Sequence, residues 1–531
     1  MENTNYNSQS KILNSESSIL NSEFDAIRPY EAGEMKEAFN ELLNDRHFNA
    51  VMKGFVPWMP KAVRNGVLRL AFTGVKTPLD FQKRFMKPVV KYIIKKHTDG
   101  CTFDDSELRM ENSELGIGNS ELGIENYSYP AGETANVHSD GKSNPNSPFQ
   151  ILNSQSSILN SQSSILNSQS SILNSQSSIL NSQSSILNSQ SSILNPQSSI
   201  LNSKRFTFIS NHRDIVLDSA LLDVMLIDAG HPTTVEIGIG DNLLIYPWIE
   251  RLVRMNKAFI VRRGLSLRET LAASQLMSRY IHYAVTQKHE NIWLAQREGR
   301  AKDSSDHTQD AVLKMLAMGG TVPSQLSAVR SALPLGSAKN SQLPTVNCQL
   351  STLNSLRELN IVPLTISYEY DPCDYLKAQE FQQKRDNPAY KKSRQDDLDN
   401  MRTGILGYKG RVHYHCATPV NNFIDEFAEL PKTEFFTALA RRIDQELHRH
   451  YRLYPVNYAA AHLSGLTAEA SECARLLGLD DAAAREAVSH FETYLSQQIA
   501  KVSLPQKDEM FLRERMLTMY VNPLLNHLAA L

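Results

Sequence analysis

Arg205-Phe-Thr-Phe-Ile-Ser210 runs directly into Asn211-His-Arg-Asp-Ile-Val-Leu-Asp218 and then into Ser219-Ala-Leu-Leu-Asp-Val-Met-Leu-Ile227. The first segment is short, aromatic and β-branched, and the last carries apolar residues at helical spacing, so the stretch reads as strand, turn and helix. The alternation continues downstream. Thr234-Val-Glu-Ile-Gly-Ile239, Ala258-Phe-Ile-Val261, Ile292-Trp-Leu-Ala295 and Ile361-Val-Pro-Leu-Thr-Ile-Ser367 read as further strands. Helical spacing occupies 243–254, 267–286 and 308–318 between them. Strands alternating with helices predict an α/β fold with a central mixed sheet flanked by helices over 204–420.

Outward from this block the composition changes. A seven-residue unit, Ser-Gln-Ser-Ser-Ile-Leu-Asn, places Ile-Leu pairs at 151, 158, 165, 172, 179, 186, 193 and 200. Its apolar residues are adjacent rather than at a and d positions and it has no charged flanks, so it reads as a disordered low-complexity insert, 104–203, and not as a coiled coil. Related text marks a disordered tail over 1–23 and a second insert over 323–356, inside the α/β block. Residues 421–531 are rich in Ala and Leu and read as a helical C-terminal region.

Residues 24–103 read as a helical N-terminal region with a basic character. From Lys53 to Lys96 there are eleven Lys and Arg residues against Asp80 alone, interleaved with Phe55, Val56, Trp58, Met59, Val67, Leu68, Leu70 and Phe72. That pattern suits either a face lying on anionic lipid or the solvated side of a helical cap. The chain as a whole carries 55 Lys and Arg against 57 Asp and Glu, a net charge of -2, which gives no general attraction to nucleic acid. The five cysteines form no Cys-x-x-Cys pair and no zinc spacing, so a reducing cytoplasmic setting and no metal are expected. The first residues lack a basic start followed by an apolar stretch, and no window offers an uninterrupted spanning segment.

His212 stands at the end of the first strand with Asp214 and Asp218 just ahead of the helix. A carboxylate that holds one imidazole nitrogen leaves the other free to take a proton, which is the arrangement of a general base; it is also the arrangement of a structural hydrogen bond. Three later strand ends bring polar groups to the same edge. Gly240-Asp-Asn242-Leu243 turns towards a helix, Arg262 and Arg263 follow Phe259-Ile-Val261, and Arg297-Glu298-Gly299-Arg300 follows the fourth strand. Paired guanidinium groups recognise phosphate, and equally form surface ion pairs.

In this order the blocks resemble the glycerol-3-phosphate and lysophosphatidate acyltransferase superfamily. The resemblance rests on Asn211-His212-x-Asp214, Gly240-x-Asn242-Leu243 with Phe259-Ile-x-Arg262-Arg263, Glu298-Gly299, and Val362-Pro-x-x-Ile-x-Tyr368, and it covers about 204–420. It implies a glycerolipid acyltransferase-like sheet and an acyl transfer to glycerol 3-phosphate or lysophosphatidate in phospholipid synthesis. His212 would deprotonate the acceptor hydroxyl and an Asp would orient it. Asn242, Arg262, Arg263, Arg297, Glu298, Gly299 and Arg300 would make the acceptor site, with the acyl chain arriving on coenzyme A or acyl carrier protein and no cofactor. The implied location is peripheral, on the cytoplasmic face of a membrane.

Two departures matter. The family has His-x4-Asp, whereas here position 217 is Leu and the carboxylate stands at 218. Asp218 is assigned as the orienting group and Asp214 is the alternative. Many relatives have Glu-Gly-Thr-Arg-Ser where this chain has Glu298-Gly-Arg-Ala301, which leaves Arg297 and Arg300 both open as the phosphate contact.

Overall fold

The computed structural model describes residues 23–113, 204–319 and 343–531. The tail before residue 23, the heptad array and the first part of the 323–356 insert lie outside the described residues. Seven strands form one sheet: β1 (Cys101–Asp104), β2 (Thr207–Ser210), β3 (Val235–Gly240), β4 (Ala258–Val261), β5 (Asn291–Ala295), β6 (Ile361–Tyr368) and β7 (Val412–Cys416). Their order is β1-β7-β6-β2-β5-β3-β4. Strands β2 to β6 pair in parallel, and β7 runs antiparallel to β6. The α/β class is therefore observed, with a mixed sheet.

Successive residues of β2 and β6 serve opposite faces, as strand geometry requires. Phe208, Val362, Leu364 and Ile366 enter one core with Leu221, Leu222 and Tyr414. Helices α5 (Lys87–His97) and α7 (Leu217–Asp228) contribute Val90 and Leu226 to that layer. Ile209, Phe259, Ile292 and Ile361 enter the opposite core with Tyr280 and Ile281 of α9 (Leu267–Thr286) and with Leu439 and Ile443 of α14 (Lys432–Arg449). Because β2 is covered on both faces, all four of its residues are buried, Thr207 and Ser210 included.

The structure departs from the sequence expectation in several places, β7 among them, which no expected strand covers. The N-terminal region is helical over α1 (Met35–Asn44), α2 (Arg46–Phe55), α3 (Lys61–Ala71), α4 (Pro78–Phe81) and α5, but it ends in β1, which joins the main sheet beside β7. A helix, α6 (Ser106–Ser113), occupies the start of the segment read as insert. The end of the second insert belongs to α11 (Leu343–Glu358), whose Leu353 and Leu356 lie in the core. The helix expected over 243–254 starts at Pro247, as α8 (Pro247–Met255), because Asp241–Leu243 forms a separate 3-10 turn. Between β5 and α11 stands α10 (Asp310–Leu316), and β6 is followed by α12 (Asp374–Asp386) and α13 (Arg394–Leu406).

The C-terminal region is helical, with α15 (Pro455–Leu463), α16 (Thr467–Leu477), α17 (Asp481–Lys501) and α18 (Glu509–Ala530) enclosing Phe491, Leu495, Leu512 and Met516. Among the described residues, no helix is long and apolar enough to cross a membrane. Parallel strands place the loops after β2, β3, β4 and β5 at one edge of the sheet, where ligand sites of α/β proteins gather.

Candidate active site

The turn after β2 is pinned before it reaches His212. The Asn211 side chain donates to the Ile366 carbonyl at 2.9 Å and accepts from the Ile366 amide at 2.8 Å, so it acts as one more rung between β2 and β6. Both backbone groups are buried, and losing such a partner costs about 1–3 kcal/mol. His212 follows with its side chain 13% exposed and its ring set edge-on to Trp293, centroids 5.8 Å apart.

His212 Nδ1–H donates to Asp218 Oδ2 at 2.8 Å. The same oxygen accepts from the Arg213 amide at 2.7 Å, while Oδ1 accepts from the Asp214 amide at 3.1 Å and from the Tyr368 hydroxyl at 3.2 Å. Asp218 is fully buried, in the first turn of α7. Four donors fix this carboxylate, and it in turn fixes the imidazole tautomer, leaving Nε2 as the acceptor. The residues between His212 and Asp218 form the turn into α7, and the contact closes across it.

Asp214 does not reach His212. Its Oδ1 accepts from the Val216 and Leu217 amides, both at 2.8 Å, and so caps α7. Burial, with the neighbouring Asp218 charge, raises its pKa above the ordinary carboxylate value. Of the two candidate carboxylates the geometry places Asp218 on the imidazole and Asp214 on the helix.

His212 opens onto a cleft of about 520 Å³, within the usual size range for small-molecule sites. Asn242, Arg263, Arg297, Glu298, Gly299 and Arg300 line it too. Arg262 does not: it is exposed and outside the lining. Arg263 is held through its amide to Asp241 Oδ1 at 3.1 Å and faces Glu298 at 3.5 Å. Gly240 makes this approach possible, since a Cβ there would stand 2.5 Å from the Asn242 side-chain oxygen and 2.7 Å from Arg263 Nε.

The far wall comes from residues with no local signal in the sequence: Lys302, Phe381, Lys392 and Asp397. Lys392 is neutralised by Asp397 at 2.6 Å and Lys302 by Glu380. Burial lowers the Lys302 ammonium pKa despite that partner. Arg297 and Arg300 differ. Arg300 donates through Nη2 to Asn400 at 2.8 Å, but its Nη1, like Arg297 Nε, is enclosed without a hydrogen-bond partner among the described residues. Burial works against the Arg300 charge, and the nearby Cys373, Asp371 and Asp214 more than offset it, so its pKa is raised. The guanidinium-bearing Arg263, Arg297 and Arg300 share the cleft with the His212–Asp218 pair, which makes it a candidate site for an anionic ligand.

No protein-family model matches this chain, and no curated protein matches it.

Proposed function

We propose that the protein is an acyltransferase that moves an acyl group from a thioester to the hydroxyl of glycerol 3-phosphate or lysophosphatidate, working as a peripheral protein at a cytoplasmic membrane surface. The observation that carries this reading is that His212, fixed by Asp218, shares one cleft with Arg263, Arg297 and Arg300. In the reaction, His212 Nε2 takes the hydroxyl proton as the oxygen attacks the thioester carbonyl. The tetrahedral oxyanion collapses, the C–S bond breaks, and the leaving thiolate takes the proton from the imidazolium. Asp218 keeps the imidazolium oriented throughout. The arginines hold the acceptor phosphate, and the thioester is acyl-coenzyme A or acyl carrier protein.

The test is acyl transfer by purified protein on lipid vesicles with either acceptor, beside His212→Ala. Transfer to one acceptor that disappears in the variant while the circular dichroism spectrum is unchanged supports the reading. Full activity in the variant removes His212 from the chemistry and the reading with it.

A further inference from the structure

Helix α3, Lys61-Ala-Val-Arg-Asn-Gly-Val-Leu-Arg-Leu-Ala71, is amphipathic in the reverse sense. Its one buried residue is Arg64, whose guanidinium donates to Asn49 at 2.9 Å. Val63, Val67 and Leu70, spaced i, i+4 and i+7, are 54%, 52% and 75% exposed, and Trp58 in the preceding turn is 76% exposed. A stripe of this kind on a helix normally faces a core. Here the core beneath the N-terminal helices is already filled by Phe39, Leu42, Phe72 and Phe81, with Leu68 packed against it. The apolar residues split into two sets: Phe72 and Leu68 point inward, and Val63, Val67 and Leu70 form a separate outward face, with Trp58 exposed in the turn before it.

The segment that carries that face is cationic: Lys53, Lys61, Arg69 and Lys76 are exposed. Asp80, the one acidic residue between Lys53 and Lys96, is engaged in the capping box that starts α4, accepting from the Thr77 amide at 3.0 Å. An exposed apolar stripe in a strongly cationic segment, with an exposed Trp in the preceding turn, matches a bilayer in each part: acyl chains for Val and Leu, the interface for Trp, anionic headgroups for Lys and Arg. A second copy of this chain is a poor occupant, because pairing the faces would bring the same cations together.

We propose that the face of Trp58, Val63, Val67 and Leu70 docks the protein on an anionic bilayer. This rests on the lipid-surface setting of the proposed function, but it is read by binding. Vesicle binding without acyl transfer therefore overturns only the former reading, and transfer without vesicle binding overturns only this one.

The experiment is flotation of the full chain with vesicles of phosphatidylcholine alone and with added phosphatidylglycerol. Wild type, the double variant Val67→Glu with Leu70→Glu, and Trp58→Ser are compared, with circular dichroism and gel filtration beside them. All three positions are exposed, so the substitutions leave the fold in place. The expected result is at least tenfold stronger partition onto anionic vesicles, weakened by salt, at least tenfold lower in the double variant and reduced in Trp58→Ser. Equal flotation of wild type and double variant overturns the proposal. So does a change in the size of the protein in solution with vesicle binding untouched, which would assign the face to a second copy.

Discussion

Gly404 of α13 packs so tightly on Asp214 that the carboxylate occupies the space a side chain at 404 would need. The contact ties a helix nearly two hundred positions downstream to the turn that carries His212.

Gly404→Ala is therefore predicted to destabilise the protein. In an open helix, Ala is favoured over Gly by about 1 kcal/mol. Here the added methyl must displace Asp214 and its cap on α7, an overpacking cost of about 1–3 kcal/mol. Urea unfolding should show a lower midpoint and the acyl transfer rate should fall with it. A raised midpoint would mean the helix simply moves away.

Asp218 and Asp214 should separate cleanly on conversion to Asn. The amide at 218 turns one acceptor oxygen into a donor facing other donors, so the His212 tautomer is lost and the transfer rate falls roughly 10²–10⁴-fold. At 214 both bonded amides use Oδ1, which the Asn carbonyl can replace, so the rate should stay within about threefold of wild type. Equal losses at the two positions would reject the assignment of Asp218 as the orienting group.

Arg300→Met keeps the bulk of the side chain and removes its charge. The Michaelis constant for the phosphorylated acceptor should rise by roughly tenfold or more, as expected for loss of a charge-assisted hydrogen bond of about 1.5–3 kcal/mol. That for the thioester donor should hardly move. Steady-state kinetics with each substrate varied in turn decides this, and a selective loss of donor affinity would place the phosphate elsewhere.

Asp374 supplies a pH signature. Tyr494 and Tyr520 hydroxyls donate to its Oδ2 at 2.7 and 2.8 Å, and burial, aided by the Asp371 charge, lifts its pKa from 3.8 to about 7. Between those values the folded protein holds a proton that the unfolded chain has released. Its contribution to stability is thus fullest below the unfolded value and is lost as pH rises through the folded one. Asp374→Asn should make the slope of unfolding free energy against pH more positive over this window, by on the order of 1 kcal/mol per unit. Urea titrations at three pH values test it, and an unchanged slope would show that the carboxyl is ionised throughout.

Deleting residues 114–203 should leave transfer and vesicle binding at wild-type levels, because every strand of the sheet and every residue lining the cleft comes from outside that segment. Loss of activity in a correctly folded deletion would give the heptad array a role of its own.

The parts of the fold visible in the sequence are those with both faces covered. Strands β2 to β6 stand out because burial on two sides favours short runs rich in β-branched and aromatic residues, such as Phe208-Ile209, Phe259-Ile-Val261 and Ile292-Trp-Leu294. Strand β7, Val412-His-Tyr-His-Cys416, was missed because its alternate residues are histidines that are only partly buried, and β1 because four residues with Thr and Asp carry little pattern. Helix α11 was hidden by composition: its Ser, Asn and Gln resemble the repeat, while Leu353 and Leu356 reach the core. In the cleft, groups at strand ends were legible because a strand followed by a turn announces its own direction. Phe381 and Lys392 reach the site through tertiary packing, and no local spacing predicts that.

The pairing of β1 with β7 bears on how the chain is made. Thr102 donates to the Val412 carbonyl across 310 positions. At ordinary rates of synthesis the ribosome needs roughly 15–60 s to cover that interval. Throughout it the N-terminal helices can form, but their strand has no neighbour, and its open edge is available for unwanted pairing. The last sheet position to be filled is thus decided late in translation, which makes the order of assembly, rather than the final packing, the stage at which this protein is most exposed to aggregation.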